Sequence, residues 1–74
     1  MDIFETVKTI MSNKMDVSQL TEDSVLSTLG INSLDLVEIT LEIEDKFHID
    51  FTSSEITNLV TVKDVIKLIE RKTK

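Results

Sequence analysis

An all-α fold is what this 74-residue sequence predicts. Three observations carry that prediction. Apolar residues recur at spacings of three and four in three separate stretches, as one buried helix face requires. There is no proline and a single glycine, Gly30, so the turn punctuation of an all-β chain is missing. There is no cysteine either, and no metal-ligand spacing, so neither disulfides nor a zinc site stands in for a core and stability has to come from helix packing. A chain this short has room for one domain, residues 1–74, with one modest core.

Ile3, Phe4, Val7, Ile10 and Met11 alternate with Asp2, Glu5 and Lys8 and give a first amphipathic helix ending near Asn13. Residues 15–32 hold no sustained period, and their runs of Thr, Ser, Glu and Asp mark a long connection. Val17, Leu20, Val25, Leu26 and Leu29 are too many apolar residues for a free linker, so the loop packs on the helices and includes a short helical turn.

The second helix runs from about Ser33 to Phe47. Asn32 is its N-cap, Asp35 takes the acidic position of a capping box, and Gly30 lets the chain turn into the cap. Leu36, Ile39, Ile43 and Phe47 form the core stripe. Leu34, Val37 and Leu41 form a second stripe, displaced around the helix, which by pattern alone belongs under the long loop and otherwise is open to a partner. Beyond it Ile49 and Phe51 point inward from a short extended stretch. Thr52 or Ser53 caps a short third helix carrying Glu55, Ile56 and Leu59. Thr61 with Asp64 caps a last helix that buries Val62, Val65, Ile66 and Ile69 and ends in basic residues. The count is three longer helices and one short third helix.

The net charge of −6 is uneven: residues 33–50 carry −5 and the segment from Lys63 to Lys74 carries +3. An acidic helix repels nucleic acid and acidic membranes, which leaves partners with basic patches or a purely solubilising role. No apolar run reaches the length of a membrane span, and Met1-Asp2-Ile3-Phe4-Glu5 lacks the basic start of a signal peptide. The expectation is a cytoplasmic protein, or one in the stroma or matrix after import, monomeric and not inserted in a membrane.

Catalysis by the chain itself is not expected. A nucleophilic serine needs a base, and the one imidazole, His48, stands fifteen residues from Ser33, about 22 Å along a straight helix at 1.5 Å per residue. Ile31 and Asp35 stand two residues either side of Ser33, where a nucleophile elbow needs glycines, so there is no such elbow. His48 is expected as a helix-end residue stabilised by nearby acids. Ser33 itself lies in the first helical turn, beside unpaired N–H groups where a phosphate ester is favoured. By spacing alone, a small polar residue merely tolerated at a helix start is the commoner case.

The stretch Leu29-Gly30-Ile31-Asn32-Ser33-Leu34-Asp35-Leu36-Val37-Glu38-Ile39 resembles the signature of the acyl carrier protein family, L-G-x-D-S-L-D-x-V-E-L. The acidic run Leu41 to Ile49 and the stretch Thr61 to Ile69 resemble the family's later segments, so the likeness spans the chain. It implies a four-helix bundle and a non-catalytic carrier. It implies that Ser33 receives a covalent 4'-phosphopantetheine arm from coenzyme A through a separate phosphopantetheinyl transferase, and that acyl groups ride on the arm as thioesters. Tethering raises their effective concentration at each acyl-loading and acyl-processing enzyme. The resemblance further implies that Leu34, Val37 and Leu41 are exposed and, with Asp35, Glu38, Glu44 and Asp45, meet basic patches on those partners. It implies an acyl pocket formed by Ile39, Ile43, Phe47, Ile56, Leu59 and Val62.

Two departures matter. Asn32 stands where the family has aspartate, keeping the cap and removing a charge, and Ser27-Thr28 replace a pair often acidic in fatty-acid carriers, which weakens any divalent-cation site there. Both lean towards a carrier in polyketide or other specialised synthesis as against housekeeping fatty-acid synthesis. A carrier of aminoacyl or peptidyl groups is disfavoured, because Ile31-Asn32 replaces the Gly-Gly-His of such proteins. An unmodified acidic module that binds or regulates a partner enzyme is the alternative from another class.

Overall fold

The computed structural model describes residues 2–73. They form four α-helices, α1 (Ile3–Met11), α2 (Ser33–Phe47), α3 (Ser53–Thr57) and α4 (Val62–Thr73), with one 3-10 turn, Leu26–Thr28, in the long connection between α1 and α2. No strand occurs among them beyond an isolated antiparallel bridge between Val25 and Thr61. The fold is thus the expected bundle of three longer helices and a short third one.

α1 packs against both α2 and α4, and the core is the meeting of their apolar faces. Val7, Ile10 and Met11 of α1, Ile39 and Ile43 of α2, and Val62, Val65, Ile66 and Ile69 of α4 are buried, joined by Leu20 and Leu26 from the long loop. Removing so many branched aliphatic side chains from water, at roughly 1.5–3 kcal/mol each, is the main force holding the bundle together. Thr40 is buried among them without penalty because its hydroxyl donates to the Val37 carbonyl at 2.7 Å.

The long loop is stitched down as well as packed. The Leu26 N–H donates to Val60 O at 2.8 Å, Val62 N–H to Ser24 O at 3.0 Å and Lys63 N–H to Glu22 O at 2.8 Å. These bonds tie the entry to the 3-10 turn to the start of α4 and satisfy backbone groups that a packed loop otherwise buries unpaired.

Four boundaries or environments differ from the pattern reading. α1 stops at Met11, capped by Ser12, two residues before Asn13. The chain there continues in turns, Asn13 N–H to Ile10 O and Lys14 N–H to Met11 O, whose local spacing still looks helical in sequence. Leu59 lies beyond α3, which ends at Thr57 with Asn58 as its C-cap, because the next residues must extend to reach the Val25–Thr61 bridge. His48 ends α2 in the left-handed region, φ 57°, donating its N–H to Glu44 O, and no acid forms an ion pair with it among the described residues. Its place comes from backbone geometry, since a left-handed residue closes a helix C-terminus. Leu68 on α4 is buried as well, a residue the apolar stripe of that helix did not include.

Acidic residues lock the starts of α3 and α4. Glu55 accepts from the Thr52 N–H at 2.8 Å while the Thr52 hydroxyl accepts from the Glu55 N–H at 3.1 Å. Glu55 also meets Lys72 at 3.0 Å, joining α3 to the end of α4. Asp64 accepts from the N–H groups of Thr61 and Val60, both at 3.1 Å, and its own N–H returns to the Thr61 hydroxyl. The backbone N–H of Thr52 and then the Lys72 ammonium hold the Glu55 carboxyl below the usual range, and the N–H groups of Thr61 and Val60 do the same for Asp64.

Two outcomes are expected. Ile43, fully enclosed, leaves a cavity when cut to alanine and should cost about 2–5 kcal/mol, most of the stability of a domain this small, read as a fall in urea midpoint with unchanged slope. Because both carboxyls titrate lower in the folded than in the unfolded chain, their stabilisation is complete above the ordinary carboxylate range and is lost as the pH falls through the depressed values. Glu55→Gln and Asp64→Asn should therefore lower Tm at neutral pH and flatten its decline below about pH 4.5.

Candidate functional site

Ser33 is the first residue of α2 and is exposed. Its position follows from the three residues before it. Gly30 takes φ +78°, a left-handed conformation natural for a residue without a Cβ, and turns the chain out of the loop. Asn32 is then extended at φ −96°, ψ 179°, and its side-chain oxygen accepts the Asp35 N–H at 2.8 Å. Asp35 answers by accepting the Asn32 N–H at 3.4 Å, completing the capping box read from the sequence.

That exchange fills two of the four open donors at the helix start. The other two N–H groups belong to Ser33 and Leu34. The Ser33 hydroxyl thus stands at the positive end of α2 beside two donors that no group among the described residues occupies.

Next to Ser33 lies a hollow of about 180 Å³ lined by Leu26, Ser27, Ile31, Asn32, Leu36 and Leu59. Leu26, Ser27 and Ile31 come from the loop and had no site role in the sequence reading. The apolar surplus of that loop is a signal for Leu26, and Ile31 is the one apolar residue between Gly30 and the Asn32 cap, whereas no local pattern points to Ser27. A larger groove of about 460 Å³ opens between α3 and α4, with Leu59 and Leu68 as apolar walls and Glu55, Asp64, Lys67 and Arg71 among the polar ones.

The second stripe of α2 is exposed: Leu34 at 66%, Leu41 at 57% and Val37 at 42% of their surface face water. The long loop covers the other side of the helix, so burial under it, which the pattern alone favoured, does not occur. Along one flank of the stripe run Asp35, Glu38, Glu42 and Asp45, spaced three, four and three residues apart on α2.

These acids are not equivalent. Asp45 is exposed and has no hydrogen-bonded partner among the described residues. Asp35 serves the cap, and Glu38 forms an ion pair with Lys14. Glu44, on the opposite flank, accepts the Phe51 N–H at 2.6 Å and holds the chain as it leaves α2.

The six residues proposed for an acyl pocket divide in the same way. Ile39, Ile43 and Val62 belong to the buried core, Phe47 and Leu59 pack against it half-buried, and Ile56 is half-buried on α3. Leu59 is the member that reaches both hollows. His48 and Ser33 sit at opposite ends of α2, too far apart for a nucleophile and its base. No group of three or more metal-ligating side chains gathers among the described residues, and no helix there is long and apolar enough to cross a membrane.

The site is thus a capped helix start that presents one exposed serine, backed by an acidic amphipathic helix. The family profile described as a phosphopantetheine attachment site matches residues 5–69. The chain belongs to the acyl carrier protein family. It is 42% identical over its whole length to the whole of an acyl carrier protein homolog of Mycoplasmopsis pulmonis. It is 36% identical to an acyl carrier protein of Thermotoga maritima, with 96% of this chain and 91% of that one covered. The crystal structure of an acyl carrier protein from Thermotoga maritima superposes with a TM-score of 0.85, at 28% identity, over 95% of this chain and 85% of the other. Members of the family are non-catalytic carriers with a covalent 4'-phosphopantetheine prosthetic group. The surroundings of Ser33 fit such a group: an exposed hydroxyl, two open N–H donors for a phosphodiester, and a partly apolar hollow alongside.

The cap gives a direct test. Asn32→Ala should cost about 1 kcal/mol and fray the first turn of α2, seen as faster amide exchange at Leu36, whereas Asn32→Asp keeps the acceptor and should stay within a few tenths of a kcal/mol of the parent.

Proposed function

We propose that this chain is a discrete acyl carrier whose arm is attached to Ser33, and that it presents acyl intermediates to the enzymes of fatty-acid, polyketide or related specialised biosynthesis. The observation that carries this reading is the exposed Ser33 hydroxyl at the open N-terminus of α2 within Leu29-Gly30-Ile31-Asn32-Ser33-Leu34-Asp35. With no base of its own in reach, this serine depends on a separate phosphopantetheinyl transferase to remove its proton and deliver the arm. The attached arm supplies the thiol that holds acyl groups as thioesters. The Ser33 and Leu34 N–H groups receive the phosphodiester charge, and the capping box keeps the helix end rigid beneath it.

Leu34, Val37 and Leu41 form the apolar centre of the partner surface, and Asp35, Glu38, Glu44 and Asp45 are its acids. Complementary charge favours fast, salt-sensitive encounters that end quickly, as a carrier visiting several enzymes needs. Leu59, with Leu26, Ile31 and Leu36, supports a berth for the start of the cargo, and Ile39, Ile43, Phe47, Ile56 and Val62 form the apolar interior behind it. Asn32 and Ser27-Thr28, less acidic than their counterparts in fatty-acid carriers, favour the specialised pathways. The reading takes the carrier to be a monomeric, cytoplasmic single domain.

Intact mass after incubation with coenzyme A, magnesium and a broad-specificity phosphopantetheinyl transferase tests the reading. One arm should be added to the parent and none to Ser33→Ala, with equal helical content in both. Modification of Ser33→Ala would overturn the attachment site. An unmodified parent beside a modified control carrier would favour the acidic module that acts without an arm.

A further inference from the structure

Lys14 is drawn out of the loop after α1 onto the middle of the acidic row of α2. Its ammonium is hydrogen-bonded to the Glu38 carboxylate, and Lys14 is the more enclosed of the two residues. Asp35 and Glu42, on either side of Glu38 in that row, add to the field that holds the Lys14 proton. The row therefore does not offer four equal charges. Its ends, at Asp35 and Asp45, and Glu42 have no cationic partner among the described residues, while its centre is already neutralised.

Glu38 is still open enough for a second cation to approach, and Leu34, Val37 and Leu41 lie exposed on the adjoining face. A basic residue arriving on this face would compete with Lys14 for the same carboxylate. We propose that Lys14 is a specificity-determining residue that masks Glu38, so that a partner gains from Glu38 only by displacing Lys14, and partners whose basic residues align with Asp35, Glu42 and Asp45 are preferred. The proposal rests on the reading of α2 as the partner surface. It adds that the surface is edited by a residue outside α2.

The physics is competition at short range. An ion pair at a partly open surface contributes little to stability, so Lys14 can be displaced, yet its charge cancels most of the local attraction to an incoming cation. Long-range attraction rises equally with net charge in any variant that loses one cation, so a charge-matched control separates it from the local effect.

A lysine-rich peptide of about ten residues, titrated at low salt against the labelled carrier and followed by the α2 amide shifts, reads the mask directly. Lys14→Met should tighten binding by about threefold or more beyond Lys63→Met, which removes the same charge from an exposed residue of α4. Glu38→Gln should weaken binding by about fivefold in the Lys14→Met background and by no more than about twofold in the parent, and Lys14→Arg should behave as the parent. With the transferase, Lys14→Met should lower KM for the carrier at unchanged kcat. Equal effects of Lys14→Met and Lys63→Met, equal costs of Glu38→Gln in both backgrounds, or a loss of Tm in Lys14→Met without a change in affinity would each overturn the proposal. If no variant accepts an arm, the assignment of Ser33 falls, and the peptide titration alone decides the role of Lys14.

Discussion

Asn32 and Asp35 exchange hydrogen bonds across the first turn of α2, and the geometry of the site is set from there. The exchange decides which residue is the first of the helix, and so which side chain stands at its positive end. One residue earlier or later, and Ser33 would be either in the loop or turned about 100° around the axis. It also occupies two of the four donors that a helix start leaves open, so that the two remaining are those of Ser33 and Leu34. The cap is a local device, made of four consecutive residues, but it needs an anchored helix behind it. Ile39 and Ile43, packed with α1 in a core that α4 completes, provide that anchor.

The same chemistry recurs at the other helix starts with a different purpose. Thr52 with Glu55 and Thr61 with Asp64 repeat the exchange, and both acids reach further, Glu55 to Lys72 and Asp64 to the Val60 N–H. A short α3 has too few turns to be stable alone, so its position between α2 and α4 depends on these bonds and on the half-buried Ile56. The long loop is held by the Val25–Thr61 bridge, which places Leu26 in the core and leaves Ser27 and Ile31 beside Ser33. Loop, cap and α3 thus close around one end of α2, while its opposite face is left to solvent.

That division gives α2 two distinct faces. Its inner stripe supplies the core, and its outer stripe and acids cost the fold nothing when exposed, apart from the surface they leave wet. Part of the acidic complement is nevertheless committed within the molecule. Glu44 holds the Phe51 N–H, Asp35 the cap and Glu38 the Lys14 ammonium. A carboxylate that accepts a backbone N–H keeps its charge, so among these acids it is Glu38, paired with Lys14, by which a count along the sequence overstates the charge open to a partner.

The sequence by itself determined the helices, their caps and the serine, because each is a local matter. Periods of three and four identify a helix wherever they occur, and a cap is complete within four residues. The motif around Ser33 needed no tertiary information to be read. What only the tertiary structure decided lies at longer range. Whether Leu34, Val37 and Leu41 are covered depends on which way the loop crosses, and the bridge to Thr61 sends it over the other side. Leu59 leaves α3 because a distant strand-like contact requires an extended chain there, and α1 ends at Met11 although helix-like turns follow. The pairing of Lys14 with Glu38 joins residues 24 positions apart, and no local rule selects it over the other acids of the same row. Short-range hydrogen-bond geometry is written in neighbouring residues, whereas exposure and charge pairing depend on how separate helices are brought together.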